Sequence, residues 1–325
     1  MSDSATHQRP GRAGVWLRLV LERYGIVVAF VVLIGVSAAL SPRFLSAQNL
    51  LNVVRQVSFE GIIALGMTFV ILSAGIDLSV GALMCFTACL CAGLMMRHGL
   101  PPFLAIALTL FAGAALGATN GLVIVLGRVQ PFIVTLGIMT VLHGASLLYV
   151  EGKRISLGLE PPAGIRVLDS TVGGVPVPAL IFVAIALLAG LLLARTRFGR
   201  EVYAIGGNEE AAYLAGVDVA QRKVLIYAIS GLLSALSGIL VLARLRSANA
   251  ELGKGYELTA IAAVVIGGTN LMGGEGWAAG TFIGSMILGV LANVLNLRGV
   301  SEFIQEIAKG AIIIGAVLLK REKAR

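Results

Sequence analysis

The stretch VSFEGIIALGMTFVILSAGIDLSVGALMCFTACLCAGLMM, residues 57–96, decides the fold class. A helix needs about 20 residues to cross the hydrocarbon core of a bilayer, so this mostly apolar run is long enough for two crossings. Gly75-Ile76-Asp77 interrupts it where the first would end. Apolar stretches recur on both sides, at 25–40, 102–126, 131–150, 177–194, 224–243, 258–272, 276–297 and 302–319. With 57–76 and 78–96 they predict an all-α, polytopic transmembrane bundle of about ten spans.

Composition leads to the same place. Of 325 residues, 58% are AVILMFWYC, 13% are charged and 41 are glycine. Too few polar residues remain to coat a water-soluble globule, which excludes a soluble enzyme. The net charge of +8 comes from residues between apolar stretches rather than along one polar face. Such charges set membrane orientation, and nucleic acid is not an expected partner. An even number of spans puts both termini on one side. Arg9, Arg12, Arg18 and Arg23 in segment 1–24, with Lys320, Arg321, Lys323 and Arg325 around the tail 321–325, predict that this side is the cytosol. Residues 25–320 are then the transmembrane domain, with 195–223 cytosolic and 151–176 external. Segment 25–40 also has the form of a secretory signal with Ser37-Ala38-Ala39 as a cleavage site, but the further apolar stretches favour a first span.

No catalytic constellation is visible. His7, His98 and His143 lie apart, and GxSxG, HExxH and GxxxxGK[ST] are all missing. Cys85, Cys89 and Cys91 share one apolar segment and read as small hydrophobes. Neither a metal site nor a cofactor is expected, and the chain itself should not hydrolyse ATP.

The informative residues are polar ones among apolar neighbours. Residues 258–268 make only about 16 Å of helix before GGTNLMGGEG (267–276) interrupts them, too short to cross alone. GIDLSVG (75–81) aligns with GTNLMGG (268–274), placing Asp77 opposite Asn270, which fits an internal repeat with broken helices. Asp77 has two readings: it hydrogen-bonds a solute or an opposing helix end, or it N-caps a helix beginning at Leu78. Glu302, Gln305, Glu306 and Lys309 fall on one helix face. That face is either the wall of a solute path or an internal Glu306–Lys309 pair with Lys309 snorkelling. Gly113, Gly117 and Gly121 form a small-residue stripe for close helix packing, within the chain or between subunits. In the loop 196–223, Asn208 can N-cap a short helix, Glu209 and Glu210 suit its first turn, and Gly216 can close it. Ala211, Ala212, Leu214 and Ala215 give that helix an apolar face too small for lipid and suited to a protein groove.

GMTFVILSAGIDLSVG (66–81), VQPFIVTLGIMTVLHG (129–144), TRFGREVYAIGGNEEAAYLAGV (196–217) and YELTAIAAVVIGGTNLMGGEG (256–276) resemble the permease subunits of bacterial ABC importers for ribose, xylose and related monosaccharides. The resemblance covers most of 25–320, and permeases for branched-chain amino acids are more distantly similar. It implies a multi-pass protein of the inner membrane working with a separate cytosolic ATPase, a periplasmic sugar-binding protein and a second permease copy. Such permeases carry a cytosolic EAA-x3-G element that docks on the ATPase, and Glu210-Ala211-Ala212 with Gly216 fits that spacing. Each sugar hydroxyl stranded in an apolar medium costs roughly 2–7 kcal/mol, so a lined path is required. Asp77, Asn120, Gln130, Thr135, Asn249, Thr269 and Asn270 are its candidate lining. The chain departs from some such permeases in Ala74, where a second glycine is common, and in Thr269-Asn270. Competing readings are an ion-coupled secondary transporter using Asp77, Glu302, Glu306 or Lys309, a branched-chain amino-acid permease, and a non-transporting scaffold or channel.

Overall fold

The computed structural model describes residues 12–323, apart from the side chains of 12–24, 302, 312, 313 and 316–323. The basic terminal side chains that carry the orientation argument lie outside the described residues. The chain runs α1 (Arg12–Leu40), α2 (Ala47–Leu72), α3 (Val80–Met96), α4 (Pro102–Gly127), α5 (Pro131–Val150), β1 (Ile155–Ser156), α6 (Ala163–Leu168), β2 (Thr171–Val172), β3 (Val175–Pro176) and α7 (Val177–Arg195). It continues through α8 (Arg197–Gly207), α9 (Glu209–Leu214), α10 (Val219–Leu245), β4 (Ser247–Ala248), α11 (Tyr256–Ile266), α12 (Ala278–Leu297) and α13 (Glu302–Lys323). Among the described residues, α2, α4, α5, α7, α10 and α12 are long and apolar enough to cross a membrane, while Gly25–Leu40, α3 and α11 are shorter apolar helices.

Several helix boundaries differ from the sequence reading. α2 begins at Ala47 rather than 57, because Ser46 caps it by accepting from the Asn49 amide. It ends at Leu72 rather than 76. α11 ends at Ile266 rather than 272: Gly267 closes it and Gly268 turns to φ +93°. The helix expected from Leu78 starts at Val80, with Ser79 in the cap position.

α2 and α10 form the centre of the bundle; from Gly61 to Leu72, α2 is buried without interruption. α4, α5 and α7 lie outside and turn Phe103, Phe111, Leu126, Leu148 and Leu187 outward, which suits lipid as the surrounding solvent. The glycine stripe of α4 packs within the chain. A Cβ on Gly117 would collide with the Tyr227 carbonyl of α10, and one on Gly121 would sit 2.6 Å from the Val224 Cα, so the two backbones are in contact. Alternation of helix direction brings the α2–α3 and α11–α12 breaks to one end of the bundle, together with α8 and α9. The opposite end carries the antiparallel β1–β4 and β2–β3 pairs and α6.

Candidate functional site

The end that carries α8 and α9 is built from local signals. The Asn208 side chain accepts from the Ala211 amide at 2.9 Å and starts α9. At its far end the Gly216 amide bonds the Tyr213 carbonyl at 2.9 Å and the Val217 amide bonds the Ala212 carbonyl at 3.1 Å. This is a Schellman closure, and Gly216 supplies the φ of +83° that it requires. Glu209 pairs with Lys223 of α10 at 2.7 Å, leaving Glu210 exposed beside Tyr213 and Leu214. Of the expected apolar face, Ala212 is buried against the chain, while Ala211, Leu214 and Ala215 are exposed together with Glu210 and Tyr213. Beside it, Arg128, Gln130, Tyr213 and Lys223 line a groove of about 650 Å³.

α8 is an element the sequence reading missed, although its signals are present. Thr196 caps it by accepting from the Gly199 amide at 3.1 Å. Phe198, Val202 and Ile205 fall at i, i+4 and i+7, a helical stripe that packs into the core, with Phe198 6.1 Å from the Phe69 ring. Glu201 on the same helix is nearly buried and pairs with Arg197 at 2.8 Å and with Arg222 of α10 at 2.5 Å. Both short helices are thereby tied by charge to the first turns of α10.

The C-terminal end of α8 meets both helix breaks. Gly206 lies against the Leu72 carbonyl that ends α2 and against Gly274, so closely that a Cβ would collide with both. The Gly274 amide also donates to the Leu72 carbonyl at 3.0 Å, and Tyr203 donates to the Gly276 carbonyl at 2.7 Å. The end of α2 just before the first break is therefore packed on Gly273 and Gly274 of the second.

Asp77 sits in the first break, fully buried. Its Oδ1 accepts from the Ser79 amide at 3.0 Å and the Ser79 hydroxyl at 2.6 Å, and Oδ2 accepts from Ser230 of α10 at 2.9 Å. Asn120 of α4 donates to Ser79 Oγ at 2.8 Å, and Thr135 of α5 donates to the Ile76 carbonyl at 3.2 Å. Asp77 thus organises the turn before α3 and bonds an opposing helix, rather than capping a helix from Leu78. Asn120 Oδ1, Tyr227 Oη and Thr269 Oγ1 are buried here without a protein hydrogen-bond partner among the described residues.

The candidate path residues fall in four places. Asp77, Asn120 and Thr135 gather around the first break. Thr269 and Asn270 form the second, where Asn270 closes its own loop by accepting from the Met272 amide at 3.1 Å. Gln130 is exposed on the rim beside α9, and Asn249 lies at the opposite end, its carbonyl accepting from the Cys85 and Cys89 thiols. One ionisable residue went unremarked in the sequence: Glu60, on α2, faces a cavity shared with Glu306 and Lys309.

The profile of the family described as "Branched-chain amino acid transport system / permease component" matches residues 49–318. The chain is 47% identical to the ribose import permease protein of Bacillus subtilis over 306 residues, covering 94% of each chain. It is 45% identical to the ribose import permease protein of Haemophilus influenzae, covering 93% of each. It is 35% identical to the D-allose transport system permease protein of Escherichia coli, again covering 93% of each. No solved structure matches. With broken helices meeting at one end of an apolar bundle, and with a match spanning most of its length, the chain belongs to this permease family of multi-pass inner-membrane transport proteins.

Proposed function

We propose that the chain is the membrane subunit of an ATP-driven importer for a ribose-type monosaccharide. Its apolar helices make ten spans with both termini in the cytosol, and two copies enclose the path. A separate ATPase binds at α9, and a periplasmic binding protein delivers sugar at the opposite end. The observation that carries this reading is the likeness to ribose import permeases over more than nine tenths of the chain.

Closure of the ATPase pushes α9, and the ion pairs Glu209–Lys223 and Glu201–Arg222 pass the displacement to α10. α10 holds Asp77 through Ser230, while α8 bears on both breaks through Gly206 and Tyr203. Asp77, Asn120, Thr135, Thr269 and Asn270 serve the path by positioning these breaks. Gln130 belongs to the docking rim and Asn249 to the outer end.

Glu210 is the acidic side chain of α9 that is not committed to an internal pair. In uptake assays on cells carrying the ATPase and binding protein, Glu210→Lys should lower sugar uptake at least tenfold, because a reversed charge at a docking surface costs several kcal/mol. Membrane insertion should be normal. Uptake at the normal rate would remove α9 as the docking element.

A further inference from the structure

α2 carries an unexplained polar face. Asn52, Arg55, Gln56 and Glu60 fall at i, i+3, i+4 and i+8 of a helix that is mostly apolar from Gly61 onward. Glu60 lies about 20 Å into a helix of 26 residues, near its middle, where an ionised carboxylate is costly and needs a local reason. α13 answers this face with Gln305, Glu306 and Lys309. Lys309 lines the same cavity as Glu60, and Gln305 donates to Asn296 of α12 at 2.7 Å. Between them is a cavity of about 210 Å³ lined by Gln56, Glu60, Asn296, Gln305, Glu306 and Lys309. It adjoins a space of about 300 Å³ through Gln56 and one of about 580 Å³ through Glu306 and Lys309, and Tyr256 borders both of these. Joined, they reach the size of small-molecule sites, roughly 300–1,000 Å³. The chamber faces the end opposite α8 and α9, since Asn49 in the first turn of α2 bonds Asn293 near the end of α12.

We propose that this chamber is the sugar-contacting station of the permease, with Glu60 accepting hydrogen bonds from two adjacent hydroxyls of an uncharged polyol. The proposal rests on the reading of the chain as a sugar importer and names the residues that meet the sugar. A carboxylate offers two acceptor oxygens and no donor, which suits a vicinal diol. The side-chain amides of Gln56, Asn296 and Gln305 supply both donors and acceptors, so they can replace water around hydroxyls of either polarity. Lys309 lines the same cavity, so a positive charge shares it with Glu60 and a neutral solute needs no counter-ion to enter.

A purely structural role, in which the polar faces of α2 and α13 hold the two helices together, would depress transport of every sugar alike. The test therefore compares ribose with 2-deoxyribose, which lacks one hydroxyl of a vicinal pair. The permease is reconstituted in proteoliposomes with its ATPase and binding protein, and both uptake rates are divided by the wild-type rates, so that selectivity of the binding protein cancels. Glu60→Gln should reduce ribose uptake about tenfold and 2-deoxyribose uptake much less, the scale of one lost hydrogen bond to a charged group. Glu60→Asp should restore part of the preference. Should Glu60→Gln fail to insert, Gln56→Ala leaves both charges of the cavity in place and carries the same ratio measurement. An unchanged ratio, at any overall rate, overturns the sugar-contact role while leaving the importer reading in place. If the wild-type complex moves no monosaccharide at all, the importer reading falls and this assignment with it.

Discussion

Gly206→Val should abolish sugar uptake, by about a hundredfold or more, in a chain that still inserts in the membrane. The position has no room for any side chain: its first carbon would meet the Leu72 carbonyl oxygen and lie 2.5 Å from the Gly274 amide nitrogen. Those atoms are backbone and cannot rotate away, so the valine must push α8 off the two breaks it touches. A disturbance of about 3 kcal/mol in the transport barrier is a hundredfold in rate, and overpacking against fixed atoms supplies 1–3 kcal/mol or more. The neighbouring residue is the control. Gly207 opens on free space, so Gly207→Ala should leave uptake within a factor of about two. ATP-driven uptake, normalised to inserted protein, checks both. Equal behaviour of the two variants would mean that contact with the breaks is not how motion is passed on.

The second large effect is on stability. Asp77→Ala strands the amide and hydroxyl of Ser79 and the hydroxyl of Ser230, all buried. At about 1–3 kcal/mol for each unpaired buried donor, the loss should reach at least about 2 kcal/mol even if one serine hydroxyl finds another acceptor. Asp77→Asn keeps the shape and an oxygen for Ser79 and should cost about half as much. Thermal unfolding of the detergent-purified protein measures the difference. If alanine and asparagine variants melt together, the hydrogen-bond account of this junction is wrong.

How much of this is legible from residues depends on what kind of signal each element sends. α9 is written locally: Asn208 at the cap, acids in the first turn and Gly216 at the exit can be read one after another, and the helix forms with these bonds. The breaks are equally legible, because glycine runs and an aspartate cannot continue an apolar helix. The close approach of α4 to α10 follows from glycines spaced by four, although only the three-dimensional packing identifies the partner helix as one in the same chain.

Other features depend on contacts distant in sequence. α8 is short and half polar, so average hydropathy places it in a loop, and its apolar stripe counts only once Phe69 lies under it. The start of α2 carries Asn49, Asn52, Arg55 and Gln56 and looks like a linker, yet Asn293 lies 244 positions away and bonds Asn49. Glu60 is one carboxylate in an apolar run, and its setting appears only when Gln305, Glu306 and Lys309 of α13 line the same cavity. Polar identity alone does not give depth, which is why seven candidate path residues separate into a junction, a docking rim and an outer end. Ala74 is a case where the departure has a visible consequence. It adopts φ +59°, where glycine would be unstrained, and it packs against Gly273 of the second break.

The central claim is that nucleotide-driven motion of a separate subunit, received at α8 and α9, moves the sugar. The most direct measurement is radiolabelled ribose uptake into vesicles containing the purified chain, with and without the ATPase and binding protein, at fixed membrane potential and proton gradient. The account predicts uptake only with both partners and ATP present, insensitive to a protonophore while ATP is held constant. Full-rate uptake by the chain alone, downhill or driven by protons, would contradict it.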